Sequence, residues 1–207
     1  MQAVRTFGAL LLLIFASQPG LAQSDTATNP ALIPGGRYRL VPDHIQVVFS
    51  IMHLEISPYY GRFSGGTGTL NFDPLNPVTS QVTVEFQTDS VSTPSEQLNR
   101  MLCEPSALDC AVFPRATFRS TAIERTADNT GDITGELTIR DVTRPVTLHA
   151  VFHGGRLGPL GGTGYVIGFS AETTIRRSDF GLDQMRWAFL VGDEVTLFIT
   201  AEFIQDN

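Results

Sequence analysis

The sequence predicts an all-β protein: an antiparallel sheet of about eight strands with one short helix. Three observations carry that expectation. Apolar and polar residues alternate with period two along most of the chain. Turn-forming residues stand between the alternating stretches. A helical start signal occurs beside a single short amphipathic segment.

The elements follow in chain order. Ile45, Val47, Phe49 and Ile51 share one face of a first strand, with His44, Gln46 and Ser50 opposite. Strand-like sequence near 60–73 comes next, closed by the turn signals Asp73-Pro74 and Asn76-Pro77. Val82, Val84 and Phe86 alternate with Gln81, Thr83 and Glu85. Thr93-Pro94-Ser95-Glu96 has the form of a capping box with Pro at the first helical position. That helix is expected to run to about Cys103, with Pro105 stopping it. Leu98, Met101 and Leu102 have helical spacing and should face the sheet. A strand near 115–125 leads to the Asp128-Asn129 turn. Ile133, Leu137 and Ile139 form the next stripe, then a turn over Asp141–Pro145. Val146, Leu148, Ala150 and Phe152 follow, the alternation broken by Val151. After the glycine-rich Gly158–Gly164 turn come Tyr165, Ile167, Phe169, Ala171 and Ile175. Val195, Leu197, Ile199, Ala201 and Phe203 form the last stripe. Strands of ten or so residues rise ~33 Å before tilt. Such a sheet can close into a barrel or split into a sandwich, and closure removes exposed edges.

Composition narrows the function. The chain has 207 residues and a net charge of -7, and all 14 of its cations are Arg. Without Lys there is no Schiff-base lysine, no P-loop lysine and no Ser-Lys pair. The acidic balance argues against nucleic acid, whose binders need a cationic footprint. Residues 1–22 read as a secretory signal peptide: Arg5, the apolar run Leu10–Ala16, then Gly20-Leu21-Ala22. The run is too short to span a membrane, so export to the periplasm is expected. Residues 23–36, polar and rich in Pro and Gly, read as a flexible leader. Cys103 and Cys110 both fall in the exported part, where a disulfide between them is permitted; two buried thiols are the alternative.

No catalytic motif is present: no Gly-x-Ser-x-Gly, no His-Glu-x-x-His, no Gly-x-Gly-x-x-Gly opening a helix. No catalytic residue, metal ligand set or cofactor is assigned. His149 and His153 share a strand face at a spacing loose for one metal, and hydrogen-bonded strand histidines are the simpler expectation. His53 continues the apolar row of the first strand and is expected to point inward. Arg176-Arg177-Ser178-Asp179 reads either as an anion clamp or as a strand-end turn. In the turn reading, Asp179 caps backbone amides and Arg177 pairs with a carboxylate. Trp187 and Phe189 belong to the core or to a pocket wall.

A resemblance rests on an ordered set of short pieces. They are His44…Phe49…His53, Gly61-Arg62-Phe63, Gly68-Thr69-Leu70-Asn71-Phe72-Asp73, Gly135-Glu136-Leu137-Thr138-Ile139, Val142-Thr143-Arg144-Pro145-Val146, Arg177-Ser178-Asp179-Phe180-Gly181 and Val191-Gly192-Asp193 with Val195. Together they resemble the YceI-like family of bacterial secreted lipid-binding proteins, over residues 37–205. The resemblance implies an extended, lipocalin-like, eight-stranded antiparallel barrel with an apolar tunnel. It implies a polyisoprenoid or other long-chain lipid as partner, with no membrane span and no nucleic acid; a homodimer is left open. The residues placed along such a lumen are Phe49, Ile51, His53, Phe86, Leu98, Met101, Leu102, Phe118, Leu137, Phe152, Ile167, Phe169, Trp187, Phe189 and Leu197. Two departures from the family pattern stand out. Val41 and Ile45 occupy positions usually held by Asp and Ser. Leu98-Asn99-Arg100-Met101-Leu102 lacks the family's charged groups, and the two cysteines appear nearby. A lumen closed by its own side chains, serving as an interaction module, is the second reading. An enzyme using His53 with Asp179 or Glu55 is the third.

Overall fold

The alternating stripes become long strands wound around one axis. The computed structural model describes residues 26–158 and 164–206; the signal peptide and the first residues of the leader lie outside them, as do the middle residues of the Gly158–Gly164 turn. The strands are β1 (Gly36–His53), β2 (Ser57–Ser64), β3 (Gly66–Phe72), β4 (Gln81–Gln87), β5 (Arg115–Arg125), β6 (Thr130–Ile139), β7 (Val142–Leu157), β8 (Tyr165–Arg176) and β9 (Val191–Gln205). The helix α1 spans Glu96–Leu102.

All neighbours are antiparallel, in the order β2-β1-β3-β4-β5-β6-β7-β8-β9, and β1 pairs with β9 to close the ring. β2 and β3 lie end to end against one side of β1, which pairs with β2 through Gln46–His53 and with β3 through Gly36–Arg39. Gly65, in the left-handed region at φ 67°, separates them. Nine strand segments therefore make an eight-stranded barrel circuit, with one helix. The stretch near 60–73 is thus a broken strand. The fifteen residues of β9 would rise ~50 Å before tilt, so the barrel is elongated.

Three local readings need correction. The turn after β6 occupies Arg140 and Asp141, since Ile139 pairs directly with Val142. Pro145 lies inside β7, opposite Glu136. β1 begins well before its apolar stripe, because five steps from Leu40 to Ile45 answer only two on β9, a wide bulge that contains Pro42. Lastly, the leader is seated on the barrel from Ala27 onward: Ala27 exchanges backbone hydrogen bonds with Gly155 at 2.8 and 2.9 Å. Ile33 is buried there. An apolar residue with a place to pack overrides a polar, Pro-rich context.

The core is uneven along the axis. At the end that holds the start of β1 and the finish of β9, Tyr38, Leu40, Ile45, Leu70, Phe72, Ile167 and Phe203 pack into a buried cluster that also takes in Ile33. Tyr38 has no exposed surface. Its hydroxyl donates to Pro34 O at 2.6 Å, and burial pushes its pKa up to about 12. The opposite end is covered by two insertions: the segment with α1 between β4 and β5, and the 177–190 segment between β8 and β9.

Candidate functional site: an apolar cavity inside the barrel

Between the packed end and the covered end the barrel is hollow. The cavity has a volume of about 410 Å³ and an almost wholly apolar wall, within the ~300–1,000 Å³ typical of small-molecule sites. A lumen filled by its own side chains is therefore excluded.

The wall follows from strand register, because cross-strand partners project from the same face. Phe49 pairs with Leu197 and Ile51 with Val195; all four line the cavity. Ala150 and Ala171 face each other across β7 and β8, and their small side chains leave the space open. Phe86, Phe118, Leu137, Phe152 and Phe169 complete much of the remaining wall. Gly61 lies beneath the Phe49 ring, where a Cβ would overlap it. That close approach lets Phe49 lie across β2, with its ring centroid 5.8 Å from that of Phe63. Toward the turn between β5 and β6 the lining becomes polar, with Ser80, Asp128, Asn129 and Thr130, and Pro30 of the seated leader reaches it.

At the covered end, Leu98 and Leu102 of α1 line the cavity with Ala107 and Leu108. The helix starts two residues later than its capping box suggests. Ser95 is the N-cap, its side chain accepting from Leu98 N at 3.2 Å. Thr93 instead braces the approach, its backbone N–H donating to Asn99 Oδ1 at 2.7 Å. A disulfide joins Cys103 to Cys110, with Cα atoms 4.9 Å apart. It ties the end of α1 to the buried Ala107-Leu108 pair.

The segment after β8 forms the rest of this end. Arg177 lines the cavity, but among the described residues its guanidinium has no carboxylate within 4.0 Å. It donates to four backbone carbonyls: Gly192 O at 2.9 Å, Leu182 O at 2.8 Å, Ala188 O at 3.0 Å and Val191 O at 3.3 Å. The turn reading therefore holds with other partners. Asp193, not Asp179, accepts from Ser178, at 3.0 Å from the backbone N–H and 2.7 Å from the hydroxyl. The Ser178 hydroxyl, and after it the backbone amide and the nearby arginines, hold the Asp193 carboxyl below the usual carboxylate range. Arg177 thus ties the backbone at Leu182 and Ala188, the ends of the stretch whose Leu182, Met185 and Trp187 line the cavity.

Eleven of the fifteen residues placed along the lumen from sequence lie in this wall. Four do not. His53 pairs with Val191, which lines the cavity, but His53 itself does not reach it; it stands at the strand end, where two steps from Ile51 answer four on β9. Met101 sits between the two wall positions of α1 without reaching the cavity. Ile167 is fully buried in the packed end. Phe189 is 82% exposed, on a short turn whose buried member is Ala188. Glu55 and Asp179 do not line the cavity either, so the acid–base set of the third reading is not assembled there. His149 and His153 point outward, hydrogen-bonded to Asp132 and Ser170 at 2.8 Å each. The wall also includes Ile133, Leu148, Ile175 and Ile199, already visible as stripes, and Leu182 and Met185, for which no periodic signal exists.

Among the described residues no helix is long and apolar enough to cross a membrane, and no cluster of metal-capable side chains occurs. Comparison with known proteins locates the chain. Residues 38–203 match the model of the YceI-like domain. Protein YceI of Shigella sonnei is 36% identical over 199 residues, covering 96% of this chain and 98% of the relative. Protein YceI of Salmonella newport is 39% identical over 164 residues, or 79% and 83%. Among solved structures, a Campylobacter jejuni YCEI protein has TM-score 0.66 and 28% identity, covering 76% of this chain and 91% of its own. A polyisoprenoid binding domain from Saccharophagus degradans, at TM-score 0.61 and 13% identity, covers 84% of this chain and all of its own; at that identity it shows the shared fold alone.

Proposed function

The chain belongs to the YceI-like domain family, and from that premise we propose that it binds a long-chain isoprenoid lipid, of quinone or polyprenyl type, or a similar amphiphile. It carries or sequesters that lipid in the periplasm after export. One observation carries the reading: the apolar cavity of about 410 Å³ running inside an elongated barrel. The description of the Saccharophagus domain as polyisoprenoid-binding supports the ligand class. Each five-carbon unit taken from water gains ~4 kcal/mol, at ~0.8 kcal/mol per buried carbon. Association and chain ordering subtract several kcal/mol, so a few units give tight binding. No charge is needed along the tail, which agrees with the composition of the wall.

The experiment is organic extraction of the purified protein followed by mass spectrometry, with uptake of added quinone as a second arm. A prenyl lipid at up to one molecule per chain is the expected result. Repeated absence of lipid together with no quinone uptake would overturn the reading. Cell fractionation tests the location: recovery in the periplasmic fraction supports export, and retention in the cytoplasm contradicts it.

A further inference from the structure

An amphiphile held by its tail needs somewhere polar for its head, and the barrel wall has a parted seam. β7 and β8 pair only from His149–Glu172 to Leu157–Tyr165. Toward the covered end, Val142–Leu148 keep their pairing with β6 and Thr173–Arg176 theirs with β9, but the two stretches do not pair with each other. Pro145 sits on that free edge and has no N–H to offer across it. An open groove lies in the parting. Val146, Thr173 and Ile175 line both the groove and the cavity, so the two approach each other at these side chains.

Arg144 stands on the rim of this groove. It is in register with Leu137, whose side chain lines the cavity, so Arg144 also projects from the inner face of the sheet. Among the described residues its one side-chain hydrogen bond is from Nη1 to the neighbouring Thr143 O, at 3.1 Å. Among the described residues no carboxylate lies within 4.0 Å of it. Of five guanidinium N–H donors, four are therefore open. Across the groove, Glu172 pairs with the outward-facing His149 and the exposed Phe198, which places it on the outer face. Arg176 lies 4.0 Å from Glu194. Asp179, on the turn after β8, is the acidic neighbour from the end of the groove.

We propose that the parting between β7 and β8 is a lateral port, and that Arg144 holds there the anionic head group of an amphiphile whose tail occupies the cavity. The proposal rests on the lipid-binding reading and adds the charge of the head group and its place. A planar guanidinium with a free fork suits a phosphate, which it can engage through two parallel hydrogen bonds.

The test compares two ligands with one tail, geranylgeranyl phosphate and geranylgeraniol, on the purified protein and on Arg144→Gln and Arg144→Lys. Arg144 is exposed, so both variants should melt as the parent does. The phosphate is expected to bind the parent more tightly than the alcohol. Arg144→Gln should weaken the phosphate about tenfold, the worth of one charge-assisted hydrogen bond, and leave the alcohol unchanged. Arg144→Lys should fall between. Equal affinity for both ligands, or a phosphate affinity that Arg144→Gln leaves intact, overturns the port while tail binding stands. Uptake of neither ligand overturns the cavity reading and the port together. Inorganic phosphate that binds alone and is lost in Arg144→Gln would overturn the head-group assignment in favour of a free-anion site.

Discussion

At the scale of single residues, the groups that shape the cavity are held by backbone contacts that leave little trace in sequence. Arg177 is half-buried and satisfies four carbonyls at once. Arg177→Met would keep the stem but leave those oxygens without their donor. A loss of ~3 kcal/mol or more is expected, read as a fall of roughly 6–12 °C in melting temperature for a chain of this size. The pairing of an arginine with backbone oxygens rather than a carboxylate has no spacing signature, so sequence pointed to the turn and to the wrong partner. A second residue sets a pH dependence. The His44 Nδ1–H donates to Glu202 Oε2 across 2.6 Å, and that hydrogen bond, with the carboxylate's charge, raises its pKa above the ordinary imidazole value. A raised folded-state pKa gives stability that is full below the ordinary value and is lost as pH rises through the raised one. Glu202→Gln should therefore erase a small stability advantage on the acidic side and change little at higher pH. Melting curves across that window check it, and an effect confined to alkaline pH would contradict it.

At the scale of elements, the strands were readable because one face is apolar wherever the barrel has an inside. The bulge in β1 was not, since three extra residues leave no period of their own. His53 shows the same limit: alternation extrapolates the row to it, and the cavity stops short of the strand end where it stands. The helix was readable in existence and misplaced at its start, because Thr93 and Ser95 both satisfy cap chemistry and only the fold selects between them. Near it, the bridge between Cys103 and Cys110 closes a short loop. In the chain-entropy view a loop of ~8 residues is worth ~2.5 kcal/mol. The double variant Cys103→Ser, Cys110→Ser should melt roughly 5–10 °C lower than the parent, and added reductant should bring the parent down to match. Equal melting of all three would show that packing of Ala107 and Leu108 already fixes this wall.

For the whole molecule, the decisive property is a division along the barrel axis. A fully buried cluster around Tyr38 and Ile167 occupies one side of one end, and the cavity runs from beside it to the covered end. Sequence could not draw that boundary, because the same residue types fill a core and line a cavity. Whether Phe152 closes a lumen or borders one depends on the distance to the opposite wall, which is a property of barrel radius. Filling the open part is the direct test. Ala150 and Ala171 face each other within it, and the pair Ala150→Phe, Ala171→Phe should occupy the space with little strain, holding the melting temperature within a few degrees. Lipid recovered by extraction should then fall at least tenfold. A filled barrel that retains its lipid would place the ligand elsewhere. The covered end brings one more consequence. The chain contains a single tryptophan, Trp187, and it stands in the cavity wall. Its indole emission is therefore a built-in optical gauge of occupancy: a quinone ring passing beside it would quench the light, and the course of loading and release could be followed in unlabelled protein.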